Sequence, residues 1–190
     1  MTTINSKEQN EILATKEWID SIIIGLNICP FAKKEFVNNT IHYQLSKNDQ
    51  VKKALQEIVE QCQYLQNHQK IETTLIIYSD GFRRFDRYLD LVDYANDLLI
   101  DSGFEGIFQI ASMHPEYCFD GEDYDDASNF TNRSPYPMIH LIREKSMSRV
   151  LSVYNQPEKI PENNIKLAQE KGADFFRKAL SRIQQKHEGV

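Results

Sequence analysis

Hydrophobic positions along the chain follow two periods, and the change from one to the other marks out the elements. From about Lys7 to Leu26, Ile12, Ile19, Ile22, Ile23 and Leu26 fall on one stripe, the spacing of an amphipathic helix. Ile41 to Leu45 alternates apolar and polar and reads as a strand. Ser46 with Asp49 then resembles a capping box. It opens a helix of about Asp49 to Asn67, with Val51, Leu55, Ile58, Val59, Cys62 and Leu65 on one face. Glu72 to Tyr78 is rich in β-branched residues and reads as a central strand buried on both sides, broken by Ser79-Asp80-Gly81. A helix from about Phe85 to Ser102 is stopped by Gly103. Gly106 to Met113 and Tyr136 to Arg143 read as third and fourth strands, separated by a long polar loop at 114–134. A short helix from Glu144 to Tyr154 follows. A last helix, about Glu162 to Lys186, aligns Ile165, Ala168, Gly172, Phe176, Ala179 and Ile183.

This order predicts an α/β fold, with α+β as the variant: a mixed sheet of about four strands packed with helices. Strand–helix–strand units of this length favour parallel neighbours joined by right-handed crossovers. A ferredoxin-like sandwich is the competing arrangement, and strand order stays open. At 190 residues the chain reads as a single α/β domain over residues 1–190. A chain of this length can bury roughly 70% of its unfolded surface without disulfides or metal. Its 41% hydrophobic and 26% charged residues exclude collagen-like, disordered and coiled-coil classes.

Charge narrows the partners. With 28 acidic against 22 basic residues the net charge is −6, so the cationic surplus of a nucleic-acid binder is missing. Three cysteines without a C-x-x-C pair indicate neither a disulfide framework nor a zinc ribbon. The polar, acidic first residues differ from a secretory signal, and the apolar run Ile19–Ile28 is too short to span a bilayer. The expectation is a cytoplasmic protein without membrane or nucleic-acid partner and without cofactor, its oligomeric state open.

Candidate chemistry gathers at three places. Ligands of open α/β sheets sit at the carboxyl ends of parallel strands, here Ser79-Asp80-Gly81 and His114-Pro115. If the fourth strand runs antiparallel beside the third, the loop starts and ends on one sheet edge, and Asn132, Arg133 and Ser134 come close to His114. Asn129 to Pro137 is dense in hydrogen-bonding side chains, and Arg133 offers a rigid fork suited to carboxylate or phosphate. A turn whose side chains satisfy its own backbone explains the same segment equally well. Cys29 precedes Pro30, which favours a short helix over about Pro30 to Val37. A thiol at that helix end, near Lys33 and Lys34, would favour its thiolate; the alternative is a buried thiol beneath Phe31 and Phe36. His140, mid-strand among apolar neighbours, reads as a core histidine, and Arg143 with Glu144 as a surface pair. Cys29, His114, Cys118 and His140 have no metal-ligand spacing, and the acids of the loop lack the Gly and terminal Glu of a calcium loop. Nucleotide, serine-hydrolase and zinc-protease motifs are absent.

Trp18-Ile-Asp with Ile24 to Ala32, Ala111-Ser-Met-His-Pro-Glu-Tyr117, Phe130 to Pro137, His140-Leu-Ile-Arg-Glu144 and the turn Ile160 to Asn164 together resemble family 1415 of the domains of unknown function. The resemblance covers nearly the whole chain. It implies small soluble proteins of bacterial and plastid type and no particular reaction. It puts polar signatures at Cys29-Pro30, at His114-Pro115 with Tyr117, and at Asn132-Arg133-Ser134. Cys118 and the acidic stretch after it depart from the pattern and carry little functional weight.

Two functional classes stand. One is an enzyme acting by group transfer or hydrolysis on a small anionic metabolite. There Cys29 is nucleophile or redox thiol, His114 the general acid/base, and Arg133, with Asn132, Ser134, Tyr117 and Arg143, the binding group. The other is a non-catalytic small-ligand or partner-binding module using the same residues. A Cys29 buried among phenylalanines favours the second.

Overall fold

The computed structural model describes residues 6–188, with side chains from 9 to 187. The elements in chain order are α1 (Ser6–Trp18), a π-helical stretch (Ile19–Ile24), α2 (Ala32–Val37), β1 (Ile41–Ser46), α3 (Val51–Asn67) and β2 (Thr73–Tyr78). Then come α4 (Phe85–Asp101), β3 (Phe108–Met113), a 3-10 turn (Ala127–Thr131), β4 (Met138–Arg143), α5 (Glu144–Leu151), a second 3-10 turn (Pro157–Lys159), α6 (Ile160–Lys171) and α7 (Ala173–Glu188). The fold is a four-stranded mixed sheet with helices, as expected. Contacts group the chain into two compact units, each discontinuous in sequence. One, the sheet unit, is Lys34–Met113 with Tyr136–Asn155. The other, the helical unit, is made of the described residues of Met1–Lys33, His114–Pro135 and Gln156–Val190.

In the sheet unit the strand order is β1-β2-β4-β3. β1 and β2 are parallel, joined through α3, while β4 is antiparallel to both β2 and β3. β2 and β3 therefore run the same way, and the crossover through α4 leaves a slot between them that β4 fills. Because side chains alternate across a strand, Ile76, Tyr78, Ile139, Leu141 and Phe108 share one face. There they pack with Ala54, Ile58, Cys62 and Leu65 of α3 and with Tyr88, Leu91, Ala95 and Leu99 of α4. Of the α3 stripe read from the periodicity, Ile58, Cys62 and Leu65 reach this core and Ala54 joins them, while Val51, Leu55 and Val59 are partly buried at its edge; burial pushes the Cys62 thiol up to about 12. Tyr88 pins the point where the chain leaves the sheet. Its hydroxyl accepts from Met113 N–H at 2.9 Å and donates to Met138 O at 2.6 Å, and Met113 and Met138 are paired in register.

Local departures from expectation have local causes. The Ser46–Asp49 capping box does not form: Ser46 ends β1, its hydroxyl donates to the Glu57 carboxylate, and Gln50 is the N-cap of α3. β3 begins later than expected because Gly106, at φ 71°, still belongs to a turn. In the helical unit, the first helix changes to π spacing at Ile19, and Gly25 N–H donates to Asp20 O at 2.9 Å. A Cβ on Gly25 would lie 2.3 Å from Ser21 O, so only glycine closes this turn. The expected last helix is two helices, α6 and α7, because Gly172 takes φ 78° and ψ 151°, a conformation open essentially to glycine alone. The apolar stripe runs on through Gly172, which hides the break. Trp18, Ile22, Phe130, Phe176 and Ile183 are buried in this unit, and the Phe130 and Phe176 rings stack at 5.5 Å between centroids.

Candidate functional site

The antiparallel condition set for the loop is met. β4 runs antiparallel to β3, and the chain between Met113 and Met138 returns to the strand pair it left. His114 N–H donates to Asn132 O at 3.2 Å, which joins the two motif blocks at the ends of the loop. His114 O accepts from Tyr117 N–H at 3.1 Å, and its Nδ1 accepts from Glu116 N–H at 3.0 Å. A ring whose Nδ1 accepts carries its proton on Nε2 when neutral. The ring is buried at 1% exposure.

Inside the loop, side chains replace the backbone ladder that irregular chain lacks. Asp126 caps the 3-10 turn through its Oδ1, which accepts from Ser128 N–H at 2.7 Å. Asn129, fully buried, accepts from Phe119 N–H at 2.9 Å and donates to Asp123 O at 2.9 Å and Tyr124 O at 3.2 Å. Arg133, 4% exposed, donates from Nε to Tyr117 O at 3.0 Å and from Nη2 to Tyr124 O at 2.7 Å. Its guanidinium lies 4.4 Å from the Tyr124 ring centroid and 4.5 Å from that of Phe130. Burial lowers its pKa from the ordinary arginine value. The rigid fork expected to clasp an anion thus clasps two backbone carbonyls. Asn132 accepts from the Thr131 hydroxyl at 3.2 Å, and Ser134 is buried. The Tyr117 ring packs edge-on against Phe119 at 5.0 Å.

Cys29 belongs to the same unit. It follows Asn27, held at φ 55°, and Ile28, whose carbonyl accepts from Asn164 Nδ2 of α6 at 2.8 Å. Its pKa is raised: burial disfavours the thiolate and outweighs the N–H groups of Phe31 and Ala32 that favour it. Of the two readings of Cys29, this favours the desolvated thiol over the activated thiolate. α2 is six residues long, and Lys33 and Lys34 are exposed, so neither dipole nor lysine charge offsets desolvation.

Arg143 lies in the sheet unit and serves the end of α3. It donates from Nη2 to Leu65 O and His68 O and from Nε to Ile71 O at 3.0 Å, which satisfies terminal helix carbonyls with a cation. The surface pair with Glu144 is not its role. His140 is desolvated and its pKa falls to about 4. Its Nε2–H donates to Thr73 Oγ1 at 2.6 Å, while the Thr73 hydroxyl donates to Leu141 O at 2.5 Å. Among the described residues no group of three or more His, Cys, Asp and Glu side chains is placed to hold a metal ion, and no helix is long and apolar enough to cross a membrane.

The structure brings His114, Tyr117, Asn132 and Arg133 into one hydrogen-bonded network. Cys29 caps a separate turn of the same unit. Sequence reasoning passed over Asn129 as an individual residue and Tyr124 altogether; the signal for Tyr124 was a lone aromatic within the acidic run Asp120–Asp126. A family model described as a protein of unknown function, DUF1415, matches residues 10–178. No curated protein and no solved structure matches the chain.

Proposed function

Because this chain belongs to family 1415 of the domains of unknown function, whose description names no reaction, we propose from its geometry that it is a non-catalytic binding module, with the loop of 114–135 as its recognition surface. The observation that carries this is the use of Arg133. Its fork is taken up by Tyr117 O and Tyr124 O. With these two donors taken and the side chain 4% exposed, little of the fork is open to a small anion, the ligand expected from the sequence. What the loop offers to solvent is acidic, so exposure gives weight to a stretch that the family pattern does not: Glu116, Asp120, Glu122 and Asp123 are exposed beside Tyr124. A loop already ordered from within loses little entropy on binding, and these acids suit a cationic partner. An arginine-rich peptide is the probe. Binding that disappears in an Asp120→Lys, Glu122→Lys, Asp123→Lys triple variant supports this surface, and undiminished binding removes it.

The catalytic reading, with Cys29 as nucleophile and His114 as acid/base, keeps one supporting feature, the fixed His114 tautomer. Alkylation separates the two. In folded Cys118→Ser protein, iodoacetamide should label Cys29 only as pH rises beyond the ordinary thiol value of about 8.5. Rapid labelling below that pH would restore the enzyme reading.

A further inference from the structure

An open groove of about 800 Å3 runs along the outer faces of α3 and α4. Its floor is Val51, Leu55, Val59, Leu98 and Tyr94, the last 56% exposed. Lys52, Gln56 and Glu60 border it, all three exposed. They are spaced by four residues and so form one row along the helix. Gln56 Nε2 donates to Glu60 Oε1 at 3.1 Å and orients that carboxylate.

The row is complementary to itself. Lys52 and Glu60 stand on either side of Gln56, each about 6 Å away along the helix axis at 1.5 Å per residue. A two-fold axis through Gln56 lays a second α3 antiparallel to the first. Lys52 then faces the copy's Glu60, Glu60 faces the copy's Lys52, and each apolar strip is covered by the other molecule. A parallel copy would set lysine against lysine. We propose that this groove is the contact of an isologous homodimer, with a second copy of this chain as its occupant. Such contacts use one patch twice, and a half-exposed tyrosine beside aliphatic side chains is the composition interfaces favour.

Sedimentation across the micromolar range tests this. The wild-type protein should be in reversible monomer–dimer equilibrium, weakened by added salt because the pairs are exposed. Lys52→Glu and Glu60→Lys each create two like-charge contacts and should weaken association by roughly tenfold. The double reversal, Lys52→Glu with Glu60→Lys, restores both pairs and should return to wild-type association. Both substitutions are at exposed helix positions, and unchanged circular dichroism of all three variants verifies the fold. A wild-type protein that stays monomeric overturns the proposal and leaves the groove to another partner. Single variants that associate like wild type, or a double variant as weak as the singles, overturn it too.

Discussion

Arg133 and Asn129 donate to the same acceptor. Arg133 Nη2 lies 2.7 Å and Asn129 Nδ2 3.2 Å from Tyr124 O, so both lone pairs of one carbonyl hold the acidic run against the 3-10 turn. Each residue also fastens a second strand of the loop, Arg133 through Tyr117 O and Asn129 through Phe119 N–H. A segment that carries six acids between Glu116 and Asp126 would repel itself open without such internal ties. Arg133 and Asn129, from the segment that looks like a ligand site in sequence, fasten the loop.

Arg133→Lys is therefore a stability variant. An ammonium cannot reach two carbonyls with fork geometry or stack between the Tyr124 and Phe130 rings as a plane. The expected loss is about 1–3 kcal/mol, read as a lower urea midpoint with an unchanged slope. An unchanged midpoint would show that the two carbonyls gain nothing net from the guanidinium.

His140 makes stability pH-dependent in a defined window. Its pKa in the folded protein is about 4, below the unfolded value of about 6.5. Between these values the unfolded chain binds more protons, so stability is fully present above pH 6.5 and is lost as pH falls toward 4. The loss approaches about 3 kcal/mol at the low end. Urea unfolding of wild type and His140→Leu across this range should differ in slope against pH, with the variant flatter. Equal slopes would mean that the ring is solvated in the folded state.

Gly172→Ala should destabilise, although alanine is the better helix former. The added Cβ meets no neighbour within 4 Å, so the cost is conformational: φ 78° with ψ 151° is closed to alanine at about 1–3 kcal/mol. Thermal unfolding should show a lower midpoint. A raised midpoint would mean that α6 and α7 join into one helix when the glycine is removed.

The hydrophobic period of α3 and α4, the β-branched run of β2, the count of four strands and the places where polar residues cluster are all legible in the chain, because backbone period and turn chemistry act over a few residues. Even a conditional inference was available from sequence: an antiparallel fourth strand brings the ends of the 114–134 segment together, as His114 N–H and Asn132 O do. The strand order was not legible, because whether β4 fills the slot between β2 and β3 depends on contacts between residues some seventy positions apart, such as Thr73 with Leu141 and His140. Nor was the break at Gly172 within an unbroken apolar stripe, since a glycine tolerated inside a helix and one at a positive-φ break read alike until its neighbours pack. Arg133 and Cys29 show the same division in their chemistry. A guanidinium fork fits a backbone carbonyl as well as a carboxylate, and a thiol before Pro30 is acidic beside a helix end or inert when desolvated. Residue type supplies the capability in each case; burial, which only the tertiary structure sets, turns the Arg133 fork to backbone carbonyls and disfavours the Cys29 thiolate.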